Sequence, residues 1–325
     1  MSIKYEGKKY VTDIGGVKNM LNQYGVAVIH NVLDSDECDT MLSEIWDFFE
    51  HITQNWEIPV RRNKKDSWRG LSDLYPLHTQ LHQYWNVGQC QASWNLRTNL
   101  NIIEIFSHLW RCEAEDLLVS FDGLSLCPPP EVTNKGWDTG RPWYHSDQSF
   151  LRPDFECIQS WVTARNINQG DATLTIMEGS HKYHEEFSNA FGIYDKADWH
   201  KLNVEEKQFY EDKGCVNKYI SCPKGSLVLW DSRTIHCGTN PLRGRKIPDF
   251  RAVIYLCYTP RSLCTEKNLE KKKRLFETLR TSNHWPHKPK GFPKTPRTYG
   301  NALPDIEIID PPTINELGLC LAGFD

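Results

Sequence analysis

His145 and Asp147 are separated by a single residue, in a segment that reads Trp-Tyr-His-Ser-Asp-Gln from 143 to 148. On an extended strand, residues i and i+2 point to the same face, so this spacing directs an imidazole and a carboxylate toward one point. Both groups are common metal ligands. With a second histidine they would form the 2-His-1-carboxylate arrangement of non-haem Fe(II) oxygenases, which leaves positions open on the metal.

The candidate for the second histidine is His236. It follows the apolar segment 225–231 and comes two residues before Gly238, so we expect a strand that turns to deliver it. A lone His-x-Asp motif is weak evidence, and a single histidine in such a segment is more often a core residue bonded to a backbone carbonyl. The occurrence of His145, Asp147 and His236 together is therefore more informative than any one of these residues.

Arg251 begins a second apolar segment, 251–258, and we expect it to be buried. A buried guanidinium needs an anion, and its planar fork matches a carboxylate through two hydrogen bonds. The carboxylate of a cosubstrate is the natural partner, and a structural salt bridge is the alternative. Arg243 and Arg245, in the loop just before this segment, are rivals for the same role.

These residues resemble the phytanoyl-CoA dioxygenase-like branch of the Fe(II)/2-oxoglutarate-dependent oxygenases. The resemblance covers about 24–259 and rests on these positions: His145, Asp147, Leu151-Arg152-Pro153, Trp161, the segment 170–181, His236 and Arg251. It implies a double-stranded β-helix in which His145, Asp147 and His236 hold Fe(II), Arg251 anchors 2-oxoglutarate, and O2 is the oxidant. An aspartate at the carboxylate position, rather than a small residue, implies hydroxylation rather than halogenation.

Residues that flank the ligands are candidates for the pocket walls. We predict that Trp161 borders the cosubstrate, with core packing as an equal alternative. The candidates for the substrate pocket are Trp143, Tyr144, Gln148 and Phe150. Aromatic residues beside a buried strand can also simply belong to the core.

Helices are predicted near the N-terminus. Apolar residues recur at helical spacing over 17–24 and end at Gly25, the residue that best tolerates a left-handed cap. Asp34 and Glu37 have the spacing of a capping box, which predicts the start of a second helix.

Strands are predicted at 26–29, 158–164 and 174–177. The segment 168–171, Asn-Gln-Gly-Asp, lies between the last two strands and predicts a hairpin turn. Repeated strands and tight turns are typical of a jelly roll. The predicted fold class is therefore mainly β with flanking helices (α+β), around a jelly-roll core.

We predict two parts of the chain: an oxygenase domain over 1–260 and a C-terminal extension over 261–325 packed on it. Within the first part, 51–100 is polar, aromatic and without clear periodicity, and we interpret it as a long excursion over the barrel mouth that recognises substrate. His78 and His82 are four residues apart and would share a helical face, but no cysteine or carboxylate completes a zinc site.

The composition of the 325 residues, with 39% hydrophobic and 25% charged residues, is ordinary for a globular protein. No apolar stretch approaches the roughly 18 residues that span a bilayer, and the N-terminus lacks a signal-peptide core. The 11 cysteines include no Cys-x-x-Cys pair, which favours reduced thiols over a disulfide framework. We therefore expect a cytoplasmic protein without a membrane partner.

Charge is distributed unevenly along the chain. The net charge of −4 argues against general affinity for nucleic acids, but 261–300 carries 11 Lys/Arg against three Glu, or +8, which leaves −12 for the rest. One interpretation is a solvated helix followed by a linker. The other is a surface that binds a phosphorylated or otherwise anionic substrate, or a nucleic acid.

Three classes of function follow from these observations. The leading one is a hydroxylase of a small molecule or metabolite that releases succinate and CO2. The second applies the same chemistry to a protein or nucleic acid, and only the basic segment and the excursion support it. The third is a non-catalytic, metal-binding jelly-roll protein, against which the complete ligand set and the anchor arginine argue. Metal analysis and succinate release separate the third class from the other two.

Overall fold

The computed structural model describes residues 3–324. Its strands are β1 (Tyr5–Glu6), β2 (Val26–Ile29), β3 (Leu117–Val119), β4 (Leu124–Cys127), β5 (His145–Ser146), β6 (Ile158–Thr163), β7 (Thr173–Met177), β8 (His200–Lys201), β9 (Asn217–Ile220), β10 (Leu227–Asp231), β11 (His236–Thr239), β12 (Arg251–Leu256) and β13 (Tyr258–Pro260). Its α-helices are α1 (Val17–Tyr24), α2 (Ser35–Ile52), α3 (Gln91–Arg97), α4 (Leu100–Trp110), α5 (Pro130–Thr133), α6 (His184–Phe191), α7 (Val204–Asp212), α8 (Glu266–Glu277) and α9 (Glu316–Ala322). Within residues 3–324, none of the helices is both long and apolar enough to cross a membrane.

Two main sheets form the double-stranded β-helix that the sequence predicted. One sheet has the strand order β2-β10-β6-β12-β4 with every neighbouring pair antiparallel. The other has the order β1-β9-β7-β11-β5-β8, and only its β1–β9 pair is parallel. The predicted fold class, mainly β with flanking helices, is confirmed.

Strand β2 shows how the two sheets and the helices are layered. Val26 and Val28 pack in the apolar cluster between the sheets, whereas Ala27 and Ile29 pack in the larger cluster that includes the helices. Successive side chains of a strand face opposite sides, so a strand covered on both faces is apolar at every position. This explains why the segment contains no polar residue.

Local signals positioned the first two helices correctly. Gly25 has φ of 80° and its N–H donates to the carbonyl of Leu21 at 2.9 Å, which ends α1 in a left-handed cap. Asp34 and Glu37 exchange hydrogen bonds of 2.8 Å between side chain and backbone at the start of α2, so the predicted capping box is confirmed.

The predicted hairpin at 168–171 is wrong. Gly170 has φ of 93° and the chain does turn there, but β6 pairs with β10 and β12 while β7 pairs with β9 and β11. The turn therefore carries the chain from one sheet to the other. Turn chemistry specifies a reversal of direction, whereas the choice of partner strand depends on packing between distant segments.

Residues 51–100 contain more regular structure than the sequence suggested, and the role of this excursion in substrate recognition stays a prediction. A 3-10 helix spans Lys65–Leu74, and α3 follows, with Trp94 and Arg97 buried. The irregular part is confined to about 75–86, where five non-glycine residues have positive φ, among them His78 at 51°. His78 and His82 therefore do not share a helical face.

The C-terminal segment packs on the sheet core, and part of its positive charge is used in that packing. Arg261, Lys272 and Arg280 donate hydrogen bonds to backbone carbonyls, and Lys272 is buried. These cations are not available to a phosphorylated ligand. The division of the chain at 260 stays a prediction.

Candidate metal centre

Three side chains that are far apart in sequence converge at one end of the six-stranded sheet. His145 on β5 lies directly opposite His236 on β11 in an antiparallel pair. The Oδ2 atom of Asp147 lies 3.6 Å from Nε2 of His145 and 3.4 Å from Nε2 of His236. Their ligand atoms all lie within 4.8 Å of one another, and no second group of this kind occurs between residues 3 and 324.

The path of the chain differs from the extended strand expected from the spacing. Strand β5 contains only His145 and Ser146, and Asp147 lies just beyond it, with its N–H donating to the carbonyl of Ser232 at 3.2 Å. The carboxylate and the imidazole nevertheless reach the same point, because this backbone bond holds the turn beside β5.

Hydrogen bonds on the far side of each ring orient the imidazoles. Nδ1 of His145 is 3.1 Å from the carbonyl of Trp143, and Nδ1 of His236 is 2.8 Å from the carbonyl of Thr234. An Nδ1–H that donates to a carbonyl leaves the Nε2 lone pair free for a metal, and such contacts fix the tautomer of ligating histidines. Gln159 donates to Oδ2 of Asp147 at 3.1 Å and orients the carboxylate in the same way.

An aromatic stack covers one side of the cluster. The ring of His145 stacks on Trp143 with 4.5 Å between centroids, and Trp143 stacks on His78 at 3.6 Å. Trp143 also donates its indole N–H to the carbonyl of Gly238 at 3.0 Å. Burial lowers the pKa of His78 to about 4, so this outer ring is neutral at physiological pH.

The protonation states of Asp147 and His236 suit the binding of a metal cation. Burial raises the pKa of Asp147, but its interactions with His145 and His236 outweigh burial and hold the pKa well below the usual range. Burial lowers the pKa of His236, and the neighbouring His145 lowers it further. At neutral pH the cluster therefore offers an anionic carboxylate and a neutral His236, which is the state that binds metals.

Arg251, the first residue of β12, faces the cluster from the opposite sheet. It is 5% exposed, its Nη2 lies 3.0 Å from the hydroxyl of Tyr255, and its Nε and Nη1 atoms have no partner. The guanidinium lies 5.7 Å from the ring centroid of Trp161. A buried cation with two unused donors is suited to a carboxylate ligand.

The two rival arginines are engaged elsewhere. Arg245 forms ion pairs with Glu131 at 2.7 Å and Asp171 at 2.8 Å. Arg243 is exposed and lies over the ring of Trp137 at 4.7 Å. Neither lines the cavity that contains the metal-ligand cluster. Of the three, only Arg251 faces the cluster.

A cavity of about 680 Å³ between the sheets joins these groups. Six of the residues singled out from the sequence line it: Trp143, His145, Asp147, Trp161, His236 and Arg251. The predicted metal ligands and the residues predicted to border the cosubstrate therefore line the same cavity.

The other three predicted pocket residues lie elsewhere. Tyr144 and Phe150 pack with Phe187 in the cluster behind the six-stranded sheet. Gln148 is buried and donates its amide to the carbonyls of Arg152 and Asp154. Tyr144 is adjacent to His145, and adjacent residues of an extended chain face opposite sides, so Tyr144 points away from the cavity. Gln148 and Phe150 lie beyond β5, where the chain turns.

Sequence reasoning missed several residues of the cavity wall. They are, among others, Asp122, Gln159, Trp199, Tyr255, Asn283, His284, Trp285, Lys290 and Phe292. Strand periodicity carried a signal for Gln159, two residues before Trp161, and for Tyr255, four residues after Arg251. Residues 283–292 had no such signal, because they belong to the C-terminal segment that folds back over the cavity.

The donor set fits ferrous iron and 2-oxoglutarate. Two imidazoles and one carboxylate are the protein ligands of mononuclear Fe(II) sites that keep positions open for other ligands. The unpartnered Nε and Nη1 of Arg251 fit a carboxylate of the cosubstrate.

Comparisons with known proteins agree with this geometry. A family model described as Phytanoyl-CoA dioxygenase (PhyH) matches residues 21–241. Ava biosynthesis cluster protein O from Aspergillus versicolor is 31% identical over 283 residues, which cover 84% of this chain and 87% of the relative.

Two solved structures share the fold at low sequence identity. GlcNAc Inducible Gene 2 (GIG2) from Candida albicans aligns with a TM-score of 0.54 and 14% identity, covering 85% of this chain and 70% of that one. A putative oxidoreductase from Salmonella typhimurium LT2 aligns with a TM-score of 0.57 and 11% identity, covering 97% and 86%.

Proposed function

This chain belongs to the phytanoyl-CoA dioxygenase family of Fe(II)- and 2-oxoglutarate-dependent oxygenases, and we propose that it hydroxylates a small-molecule substrate with release of succinate and CO2. The observation that carries the proposal is the shared cavity. It holds the His145, Asp147 and His236 cluster on one sheet and the unpartnered guanidinium of Arg251 on the other.

The roles of the residues follow from their contacts. His145, Asp147 and His236 hold the iron, while Gln159 and the carbonyls behind both rings keep the ligand atoms oriented. When bound, iron with 2-oxoglutarate and O2 supplies the oxidative chemistry of hydroxylation. The chain itself binds, orients and shields the reactants.

Arg251 binds one carboxylate of 2-oxoglutarate through its free Nε and Nη1 donors. Tyr255, which contacts Nη2, keeps the guanidinium in place. Trp161 and Leu174 form an apolar wall beside it, and this wall excludes water from the ion pair. Exclusion of water strengthens the attraction between guanidinium and carboxylate.

A small substrate is favoured over a macromolecule. The cavity volume of about 680 Å³ lies within the range of sites for small molecules, and Trp285 of the C-terminal segment closes one side. The name of the Aspergillus versicolor relative refers to a biosynthesis cluster, which is consistent with a metabolite as substrate. Three of the 11 cations of the basic segment, Arg261, Lys272 and Arg280, contact backbone carbonyls, which reduces the charge that it offers to an anionic macromolecule.

Reconstitution tests the proposal. Protein purified without metal is loaded anaerobically with Fe(II), supplied with 2-oxoglutarate and O2 in a metabolite extract, and assayed for succinate and for products heavier by one oxygen atom. The Asp147→Ala variant is the matched control. Succinate formation that is equal in both proteins would contradict the proposal, as would failure of the wild-type protein to bind Fe(II).

A further inference from the structure

Asp122 places a buried carboxyl group on the wall of the same cavity. It follows β3 and precedes β4, lines the cavity and is 8% exposed. Its carboxylate accepts one hydrogen bond, from the N–H of Gly123 at 2.7 Å, and forms no ion pair within the described part of the chain. The proposed iron and 2-oxoglutarate sites do not use this group.

Arg97, a nearby protein cation, forms no direct ion pair with the Asp122 carboxylate. Arg97 is buried beside it, but the guanidinium donates to the backbone carbonyls of Gly88 at 2.6 Å and of Asp122 itself at 3.1 Å. Burial raises the pKa of Asp122, while His284, the hydrogen bond from Gly123 and the charge of Arg97 partly oppose this. Burying a carboxylate without a counter-charge is unfavourable, and a ligand that brings the missing charge reduces that cost.

The surroundings of Asp122 define what such a ligand looks like. His284 lines the cavity and its Nε2 atom is buried without a partner. Trp285 and Phe292 line the same cavity, and the guanidinium of Arg152 lies 4.5 Å from the ring centroid of Trp285. The cavity therefore contains a carboxylate without an ion pair together with aromatic side chains, which suits a cation attached to an apolar body.

The lysines that line the cavity do not cancel the attraction of Asp122 for a cationic ligand. Lys196 and Lys290 are exposed at the rim, so water and salt screen their charges. Asp198, the other carboxylate near the rim, is already paired with Arg152. Among the described residues that line the cavity outside the proposed iron and 2-oxoglutarate sites, Asp122 is therefore the buried carboxylate without an ion pair.

We propose that Asp122 binds a positively charged nitrogen of the substrate, an amine or guanidine attached to an apolar or aromatic body that packs on Trp285 and Phe292. This inference rests on the proposed function, since it names the class of substrate for the same cavity. His284 supplies a second polar contact beside the cationic group.

A set of three probes of equal length tests the charge preference. The probes 3-phenylpropylamine, 3-phenylpropanol and 3-phenylpropionate differ only in whether the end group is cationic, neutral or anionic. Their dissociation constants are measured by ligand-observed NMR on protein loaded with Zn(II) and 2-oxoglutarate, and again on metal-free protein. We expect the amine to bind at least tenfold more tightly than the alcohol in both series. The carboxylate should bind most weakly in the loaded protein, where 2-oxoglutarate occupies Arg251.

Two variants test whether Asp122 causes the preference for the amine. Asp122→Asn keeps the size and the acceptor for Gly123 but removes the charge, and we expect it to bring the affinity for the amine down to that for the alcohol. Lys290→Gln is the matched control at the rim and is expected to retain the preference for the amine. Thermal unfolding of each variant is recorded beside the titrations.

The outcomes separate this inference from the proposed function. Equal binding of amine and alcohol by the wild-type protein overturns the inference, and so does a preference for the amine that survives in Asp122→Asn. If Asp122→Asn does not fold, the probe series on the wild-type protein decides alone. Failure to bind Zn(II) and 2-oxoglutarate instead counts against the proposed function, while the metal-free series still tests Asp122.

Discussion

His145 and His236 lie directly opposite each other in one antiparallel register pair, with 4.3 Å between their ring centroids. Opposite residues of such a pair project from the same face of the sheet, so the pairing of β5 with β11 is what brings the two rings together. Asp147 completes the cluster, with its Oδ2 atom 3.4 Å from Nε2 of His236.

Removal of a proposed ligand should abolish metal binding. We expect Asp147→Ala and His236→Ala each to lower the affinity for Fe(II) by more than about 100-fold, since loss of a residue that merely supports a ligand already costs roughly 10- to 100-fold. Competition with a chromophoric chelator measures the affinity, and succinate release measures turnover. His108→Ala, on the exposed face of α4, is the control. Retained substrate-coupled turnover in either ligand variant would refute the assignment.

Arg251→Ala should chiefly raise the KM for 2-oxoglutarate. A hydrogen bond to a charged group contributes about 1.5–3 kcal/mol, which corresponds to roughly 10- to 150-fold in affinity. Initial rates of succinate formation at varied 2-oxoglutarate measure this effect. Arg243→Ala is the control and should leave the KM unchanged, because Arg243 is exposed and contacts Trp137.

The Arg243 and Arg245 variants can contradict the assignment of Arg251 as the anchor. Arg245→Ala breaks ion pairs with Glu131 and Asp171, so we expect it to lower the midpoint of thermal unfolding rather than to act on 2-oxoglutarate. If Arg243→Ala or Arg245→Ala raises the KM while Arg251→Ala does not, the anchor is misassigned.

Substitution of Gln159 should lower the affinity for metal, although Gln159 is not a proposed ligand. Gln159→Leu removes the donor to Oδ2 of Asp147, and contacts of this kind contribute roughly 10- to 100-fold to metal affinity. Titration with Co(II), followed by its visible absorption, measures the affinity. Gln208→Leu, which contacts Asp212 on α7, is the control with the same change of side chain. Unchanged Co(II) affinity in Gln159→Leu would show that the carboxylate is oriented without this bond.

Acid should destabilise the protein through buried histidines such as His184. Burial lowers the pKa of His184 to about 4, against 6.5 for an exposed histidine. Below pH 6.5 the unfolded chain therefore takes up a proton that the folded chain does not bind until about pH 4. Stability is full above pH 6.5 and falls between these two values, by about 2 kcal/mol at pH 5 for this residue.

Urea unfolding of metal-free protein at pH 7 and pH 5 measures that loss. His184→Gln should lose about 2 kcal/mol less than the wild-type protein between the two pH values, because it removes one of the titrating groups. His108→Gln, at an exposed position, should behave like the wild type. An identical pH dependence of His184→Gln and wild type would show that His184 is not the source.

Much of the candidate site was predictable because its signals are local. Asp34 and Glu37 specify a helix start within four residues, and Gly25 specifies a helix end. His145 and Asp147 likewise belong to one short segment, which keeps them close, although the backbone bond from Asp147 to Ser232 sets how the two groups meet. Arg251 could be ranked above its rivals because it opens an apolar strand.

Only the tertiary structure decided which distant segments meet. The turn at Gly170 joins two sheets instead of two paired strands, and Tyr144 and Phe150 face away from the cavity. Asp122 and Trp285 come to the cavity from segments without any motif. The amino-acid sequence by itself determined the ligand types and the ends of the first helices, since these depend on residues a few positions apart. Strand pairing and cavity walls depend instead on burial between segments far apart in the chain, and that is settled only when the whole chain packs.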